Sequence, residues 1–245
     1  MSLFNLKEGK KVAIIKGGKN NGKYIYLNDN GTDEIKISDG KLEVLPNNEI
    51  VEKIYISAPS GAGKSTFVGK WISKFKKSHR EDPVILFSSV DEDKALDKYD
   101  VIRVELDEDL LDEPLDTIEL ENSLCVFDDT DTIRDKNIRN YLSSLRDHLL
   151  ECGRHYKIRL LITSHLLSNY AHTRRILNEA TSVVVFPKAG TGTYHIKNFL
   201  RIYCGLDPKE IKKFINLPSR WVLISRGFPQ YVIHEHGAYI PKTED

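Results

Sequence analysis

IYISAPSGAGKST, residues 54–66, runs from an apolar strand through a loop of small residues into the first turn of an amphipathic helix. Small residues are what a phosphate-wrapping loop needs, because backbone N–H groups must reach the anion and bulky side chains would hold it away. The helix opening at Lys64 adds the partial positive charge of its N-terminus. This is the P-loop arrangement. It assigns Ser60, Gly61, Ala62, Gly63, Lys64, Ser65 and Thr66 to ATP binding, with Lys64 on the β- and γ-phosphates and the Ser65 hydroxyl on Mg²⁺. Ala58 stands where the motif's first glycine is expected, and Ala is nearly as small.

Outward from the loop, continuous apolar runs alternate with amphipathic stretches, the signature of a buried parallel sheet covered by helices. Strands are expected at Val51–Ser57, Pro83–Ser89, Val101–Leu106, Ser123–Asp128, Ile158–Ser164 and Thr181–Phe186. Helices fit 64–78, 134–152, 172–179, 193–203 and 208–215, and the acidic stretch 107–114 reads as a solvated loop. Before this region, KVAII (11–15), KYIYL (23–27), EIKIS (34–38) and KLEVL (41–45) are separated by Asn-Gly and Asp-Gly turn signals. They read as a small β-meander. After Pro218, WVLIS and QYVIH flank Gly227-Phe228-Pro229 and read as a closing β-hairpin. The expected fold class is α/β, with a small N-terminal β-element over 1–50 and a P-loop ATPase domain over 51–245.

A P-loop needs a second carboxylate site for its metal. SLCVFDDTD, 123–131, supplies an apolar strand ending in Asp128 and Asp129. Asp128 is assigned to Mg²⁺ and Asp129 to orienting or deprotonating the attacking water. Asp131 is the substitute for Asp129, whose ordinary alternative is a cap on the next turn.

The 36 Lys and Arg balance the 36 Asp and Glu, but only in total. Residues 1–90 carry 15 basic and 10 acidic side chains, 91–135 carry 4 and 18, 136–226 carry 16 and 5, and the remainder 1 and 3. A neutral sum therefore hides an acidic belt beside a basic segment. Cys125, Cys152 and Cys204 form no CxxC pair, so neither a disulfide framework nor a zinc site is implied. No apolar run approaches the ~20 residues of a membrane helix, and MSLFNLKEGKK has no signal-type apolar segment, so a cytosolic chain is expected.

The P-loop alone does not separate a small-molecule kinase from a motor or a nucleotide-dependent assembly switch. ECGRHYKIRLLITSH, 151–165, places an arginine at a helix end before an apolar strand that closes on a polar residue. With TRRILNEATSVVVFP, 173–187, it resembles the FtsK-HerA superfamily of DNA-pumping ATPases, most of all the genome-packaging ATPases of poxviruses and other large DNA viruses. The resemblance spans roughly 51–187 and implies a RecA/FtsK-like, mostly parallel sheet. It implies that Arg154 is a finger on the neighbouring subunit's γ-phosphate, against the ordinary role of closing a helix C-terminus. His165 stands where the family usually has Gln as a sensor, and the resemblance implies that Arg174 and Arg175 are secondary phosphate or subunit contacts with Asn178 holding their loop, against the ordinary reading of a solvated helix start. A finger in trans implies a homo-oligomeric ring, a pentamer or hexamer, with double-stranded DNA and capsid proteins as partners, in host cytoplasm or virion. The basic segment offers Lys188, Lys197, Arg201, Lys212 and Lys213 to DNA, with KAGTGTYHIKNF (188–199) as a channel loop.

Overall fold

The computed structural model describes residues 3–168, 170–189 and 192–242. Five strands open the chain: β1 (Leu3–Asn5), β2 (Lys10–Lys16), β3 (Tyr24–Asn28), β4 (Glu34–Lys36) and β5 (Lys41–Val44). Then come β6 (Lys53–Ser57), α1 (Lys64–Ser78), β7 (Val84–Ser88), β8 (Ile102–Arg103) and α2 (Asp109–Asp112). They are followed by β9 (Leu124–Asp128), α3 (Lys136–Cys152), β10 (Arg159–Ser164) and α4 (Tyr170–Glu179). The chain closes with β11 (Ser182–Val185), α5 (Thr193–Cys204), α6 (Pro208–Asn216), β12 (Val222–Ser225), β13 (Tyr231–His234) and β14 (Gly237–Tyr239).

Asn48–Ala180 forms one compact unit. Its strands run in the order β6-β10-β9-β7-β8, all parallel. Every residue of β7, β9 and β10 is buried, which is why the sequence shows unbroken apolar runs rather than alternation. The register pairs Ser57 with Ser164 and Ser88 with Asp128, so the polar strand ends collect at the carboxyl edge. That edge is where open α/β sheets bind ligands. Helix α1 buries Phe67, Val68, Trp71, Ile72 and Phe75, one helical face by spacing. Trp71 and Phe75 stack 5.7 Å apart, and losing such an aromatic costs about 3–5 kcal/mol. The expected strand 101–106 shortens to two residues, from which the Arg103 side chain reaches Asp97 (2.6 Å) and the Val90 carbonyl (2.7 Å). The acidic stretch, expected as loop, holds the single turn α2.

Met1–Asn47 and Thr181–Asp245 group as a second unit. One sheet has the antiparallel order β1-β3-β2-β5. The expected meander loses one member: β4 leaves to pair antiparallel with β14. The second set is β11-β12-β13-β14-β4, antiparallel throughout. The expected C-terminal hairpin is β12–β13, extended by β14. Strand β11, expected among parallel strands, runs antiparallel to β12; it is buried on both faces, and such a run carries no information on direction. The expected division at residue 50 differs from this grouping in the placement of 181–245. The tie is local: Lys41 Nζ lies 2.9 Å from Glu235 Oε1, and β4 completes the C-terminal sheet.

Candidate nucleotide site

The end of β6 passes directly into the loop. Ala58 is fully buried, its N–H donates to the Ser164 carbonyl at 3.2 Å, and it stays out of the left-handed region. Glycine is therefore not required there. Gly61 (φ 75°) and Gly63 (φ 108°) do occupy that region, where a side chain is strained. Gly63 caps α1 without any side-chain cap. The N–H groups of Gly61, Gly63, Lys64, Ser65 and Thr66 donate to no described residue. A helix N-terminus with such unpaired donors is a ready anion site.

Lys64 is buried, and its Nζ is held by the Ala58 carbonyl (3.0 Å), Asp129 Oδ2 (3.3 Å) and His165 Nδ1 (3.2 Å). His165 Nε2 lies 3.1 Å from the same Asp129 oxygen. An ammonium can only donate. Nδ1 of His165 must therefore accept, and Nε2 carries the proton toward Asp129. Asp129 sits at φ 48°, ψ 34°, a conformation that costs a non-glycine residue about 1–2 kcal/mol. Its backbone N–H donates to Thr163 Oγ1 at 2.9 Å, which helps to hold it there.

Thr163 was not singled out by sequence reasoning. Its hydroxyl lies 2.9 Å from Asp128 Oδ1 and 3.0 Å from Asp129 Oδ1. With one proton it donates to a single carboxylate at a time. The available signal was a hydroxyl residue near the end of an otherwise apolar strand adjoining the one that ends in Asp128. Ser164 Oγ donates to Asp131 Oδ2 at 2.8 Å, and Tyr55 OH donates to the Leu166 carbonyl. These bonds brace the residues on either side of His165. Asp131, the substitute for Asp129, is thus held by Ser164 instead.

Burial holds the Asp128 carboxyl above the ordinary carboxylate range; Thr163 opposes this, Asp129 and Asp93 reinforce it, and Lys64 lowers it. A buried carboxylate beside a second one, facing hydroxyls, fits a hard divalent cation better than it fits solitude.

Arg154 is exposed in the short turn Gly153–Tyr156, before β10 begins. His165 follows the other end of that strand, about 20 Å away at ~3.3 Å per residue. Arg154 is not brought to the cluster of its own chain. Arg175 pairs with Asp147 (3.1 Å) and Glu151 (3.1 Å), tying α4 to α3. Lys213 lies 3.5 Å from Glu34 and 3.7 Å from the Tyr239 ring centroid. Lys197, Arg201 and Lys212 face a groove between α5 and α6. Lys188 is exposed, while Gly190 and Thr191 of the expected channel loop lie outside the described residues. Among the described residues no helix is long and apolar enough to cross a membrane.

The loop between β6 and α1, facing paired carboxylates at the end of β9 on a mostly parallel sheet, has the fold of a P-loop NTPase. The genome packaging NTPase B204 of Sulfolobus turreted icosahedral virus 2, in complex with sulfate, is similar with a TM-score of 0.51 at 12% identity, covering 79% of this chain and 98% of that one. The cytoplasmic domain of the Thermomonospora curvata Type VII secretion ATPase EccC reaches 0.51 at 12% identity, over 86% of this chain and 28% of that one. No family model matches the chain. It belongs to the family of "Uncharacterized protein V3" of Sputnik virophage, to which it is 39% identical over 97% of its own length and 98% of that protein's.

Proposed function

We propose that this chain is an ATP-hydrolysing, Mg²⁺-dependent subunit of a homomeric ring of five or six copies that drives double-stranded DNA into a viral capsid. The observation that carries the ATPase reading is the Lys64–Asp129–His165 cluster beneath a loop of unpaired N–H donors. The polymer is supported by likeness in fold to B204, a DNA-packaging ATPase, with a TM-score of 0.50, and the ring by the distance of Arg154 from the nucleotide loop of its own chain. B204 has also been solved with ATP-gammaS.

On this reading the loop N–H groups bind the phosphates, and Mg²⁺, which the Ser65 hydroxyl and Asp128 would hold, would supply neutralising charge there. The phosphates compete with Asp129 for Lys64. Drawing Nζ away frees the Asp129 oxygen to take a proton from the attacking water, with His165 Nε2–H still donating to the carboxylate or turning to the γ-phosphate. Arg154, too far from its own loop, acts on the neighbour's nucleotide, where a cation stabilises transition-state charge.

The test is ATP turnover with and without linear duplex DNA, beside a measurement of oligomeric mass. Duplex-stimulated hydrolysis by a ring is expected. Phosphoryl transfer to a nucleoside in the absence of DNA would overturn the motor reading. Mixing inactive Lys64→Ala subunits with inactive Arg154→Ala subunits restores part of the turnover if the site is shared, and none if Arg154 serves no neighbour.

A further inference from the structure

Helices α5 and α6 leave between them a groove of about 840 Å³, the size of a cleft that holds a drug-sized ligand or a short peptide segment. Leu206, Ile211 and Ile215 give it an apolar floor, and Lys197, Arg201 and Lys212 give it a basic rim. Among the described residues no acidic side chain lines it. None of the three cations has an ion-pair partner among the described residues, whereas the next residue, Lys213, is engaged by Glu34. Beside them the Tyr194 ring is 71% exposed. Free cations over an unfilled apolar floor call for an occupant that is acidic and apolar at once.

The same chain carries such a surface elsewhere. ELDEDLLDEPLDTIELE, residues 105–121, holds nine acidic and no basic side chains. None of its carboxylates makes an ion pair with a described cation. From the midst of these acids Ile118 projects, 64% exposed, on the turn Thr117–Leu120. That turn is fixed in place, since Asp116 and Glu119 close a capping box around it. A duplex would meet the cations with its phosphates but bring nothing to fill the Ile211–Ile215 floor, and it would leave Ile118 in water.

We infer that the α5–α6 groove receives the acidic 105–121 segment of a second copy of this chain. Two different faces of one protomer then meet, which is a heterologous contact of the kind that closes into rings. The inference rests on the ring proposed above and supplies the contact for it. It also accounts for the uneven charge: the acidic belt and the basic segment neutralise one another between copies.

The experiment measures solution mass by sedimentation, with circular dichroism as a check on folding. The groove variant Lys197→Glu/Arg201→Glu/Lys212→Glu and the acidic variant Asp112→Lys/Glu113→Lys/Glu121→Lys are each expected to be folded monomers, with association weakened at least ~100-fold. Mixed in equal amounts they re-associate, because each presents the face that complements the other. Ile118→Asp, at an exposed position that folding does not use, is expected to weaken association as well. If wild type forms a ring and the groove variant retains that mass, the inference fails while the ring stands. If the groove variant keeps its mass and loses duplex affinity, the groove is a nucleic-acid surface and the inference fails. A wild type that is monomeric with and without ATP overturns the ring itself, and this assignment with it.

Discussion

Two buried acids, one in each unit of the chain, have opposite environments. Glu235, just past β13, accepts from Lys41 Nζ (2.9 Å), from the Arg220 N–H (2.7 Å) and distantly from Ser219 Oγ (3.5 Å). Although burial works against it, these donors hold its carboxyl below the ordinary range. Asp128, at the end of β9, has hydroxyl neighbours and a second carboxylate beside it, and it is held above that range. One charge is satisfied by the fold and the other is left short of donors. A buried carboxylate that the fold leaves short of positive partners marks a site more reliably than burial or polarity alone.

Neutralising the two acids therefore has opposite consequences. Asp128→Asn is expected to lower ATP turnover by about 10²–10³-fold, as loss of a metal or charge-stabilising group does. It should leave the nucleotide-free melting temperature unchanged or raised, since an unsupported buried charge is gone. Asp129→Asn lowers turnover at least as far and retains ATP binding. Glu235→Gln should leave turnover per folded molecule unchanged and cost about 1–3 kcal/mol of stability, the worth of its charged hydrogen bonds. Phosphate release and thermal melts on the three variants decide this. Retained turnover in Asp129→Asn would remove it from the chemistry, and a loss of activity in Glu235→Gln would erase the contrast.

A smaller effect sharpens the comparison at Thr163. Thr163→Val keeps the shape of the side chain while removing the one hydroxyl among the described residues that contacts both carboxylates. It also leaves the Asp129 N–H without its acceptor, so that residue relaxes from its left-handed conformation. A loss of about tenfold in kcat is expected, in line with ~1–1.5 kcal/mol for one hydrogen bond, with KM for ATP little changed. An unchanged kcat would show that Asp129 is held by its own turn.

Much of the parallel unit was legible in the sequence because its signals are local. Small residues between an apolar run and a helix, and an apolar run ending in two acids, each fit within about a dozen positions. Lys64 and Asp129 were each named from such runs and His165 from the family resemblance, and the fold brings the three together. Their joining, and the part of Thr163, depend on the register of β10 against β9, which no local pattern encodes. The antiparallel unit was less legible for the same reason. Nothing in EIKIS states that β4 will pair with β14, some 200 residues later, and a run buried on both faces, as in β11, conceals strand direction. Ala58, at the position of the motif's first glycine, stays out of the left-handed region, so its backbone asks for no glycine.

A further effect concerns pH and separates the two units by sign. His234, buried on β13, is held down to about 4, first by burial, then by the His236 and Lys213 charges against Glu34 and Glu235. Between that value and the ordinary ~6.5 of an unfolded histidine, the unfolded chain binds a proton that the native chain refuses. Its contribution is complete above pH ~6.5, is lost progressively as the pH falls toward 4, and amounts to about 3 kcal/mol at most. Glu235, also held below its ordinary value, loses its contribution in the same direction at lower pH. Asp128 has the opposite sign, because a carboxyl held high binds its proton more readily in the native chain. Acidification thus weakens the β12–β14 sheet while relieving the nucleotide edge of the parallel unit. Hydrogen exchange at pH 7 and pH 5, corrected for intrinsic rates, should show protection lost first in residues 222–239, and His234→Gln should flatten that loss. Equal loss in β6, β9 and β10 would show that the two units unfold as one and that the contrast between their buried acids has no consequence for stability.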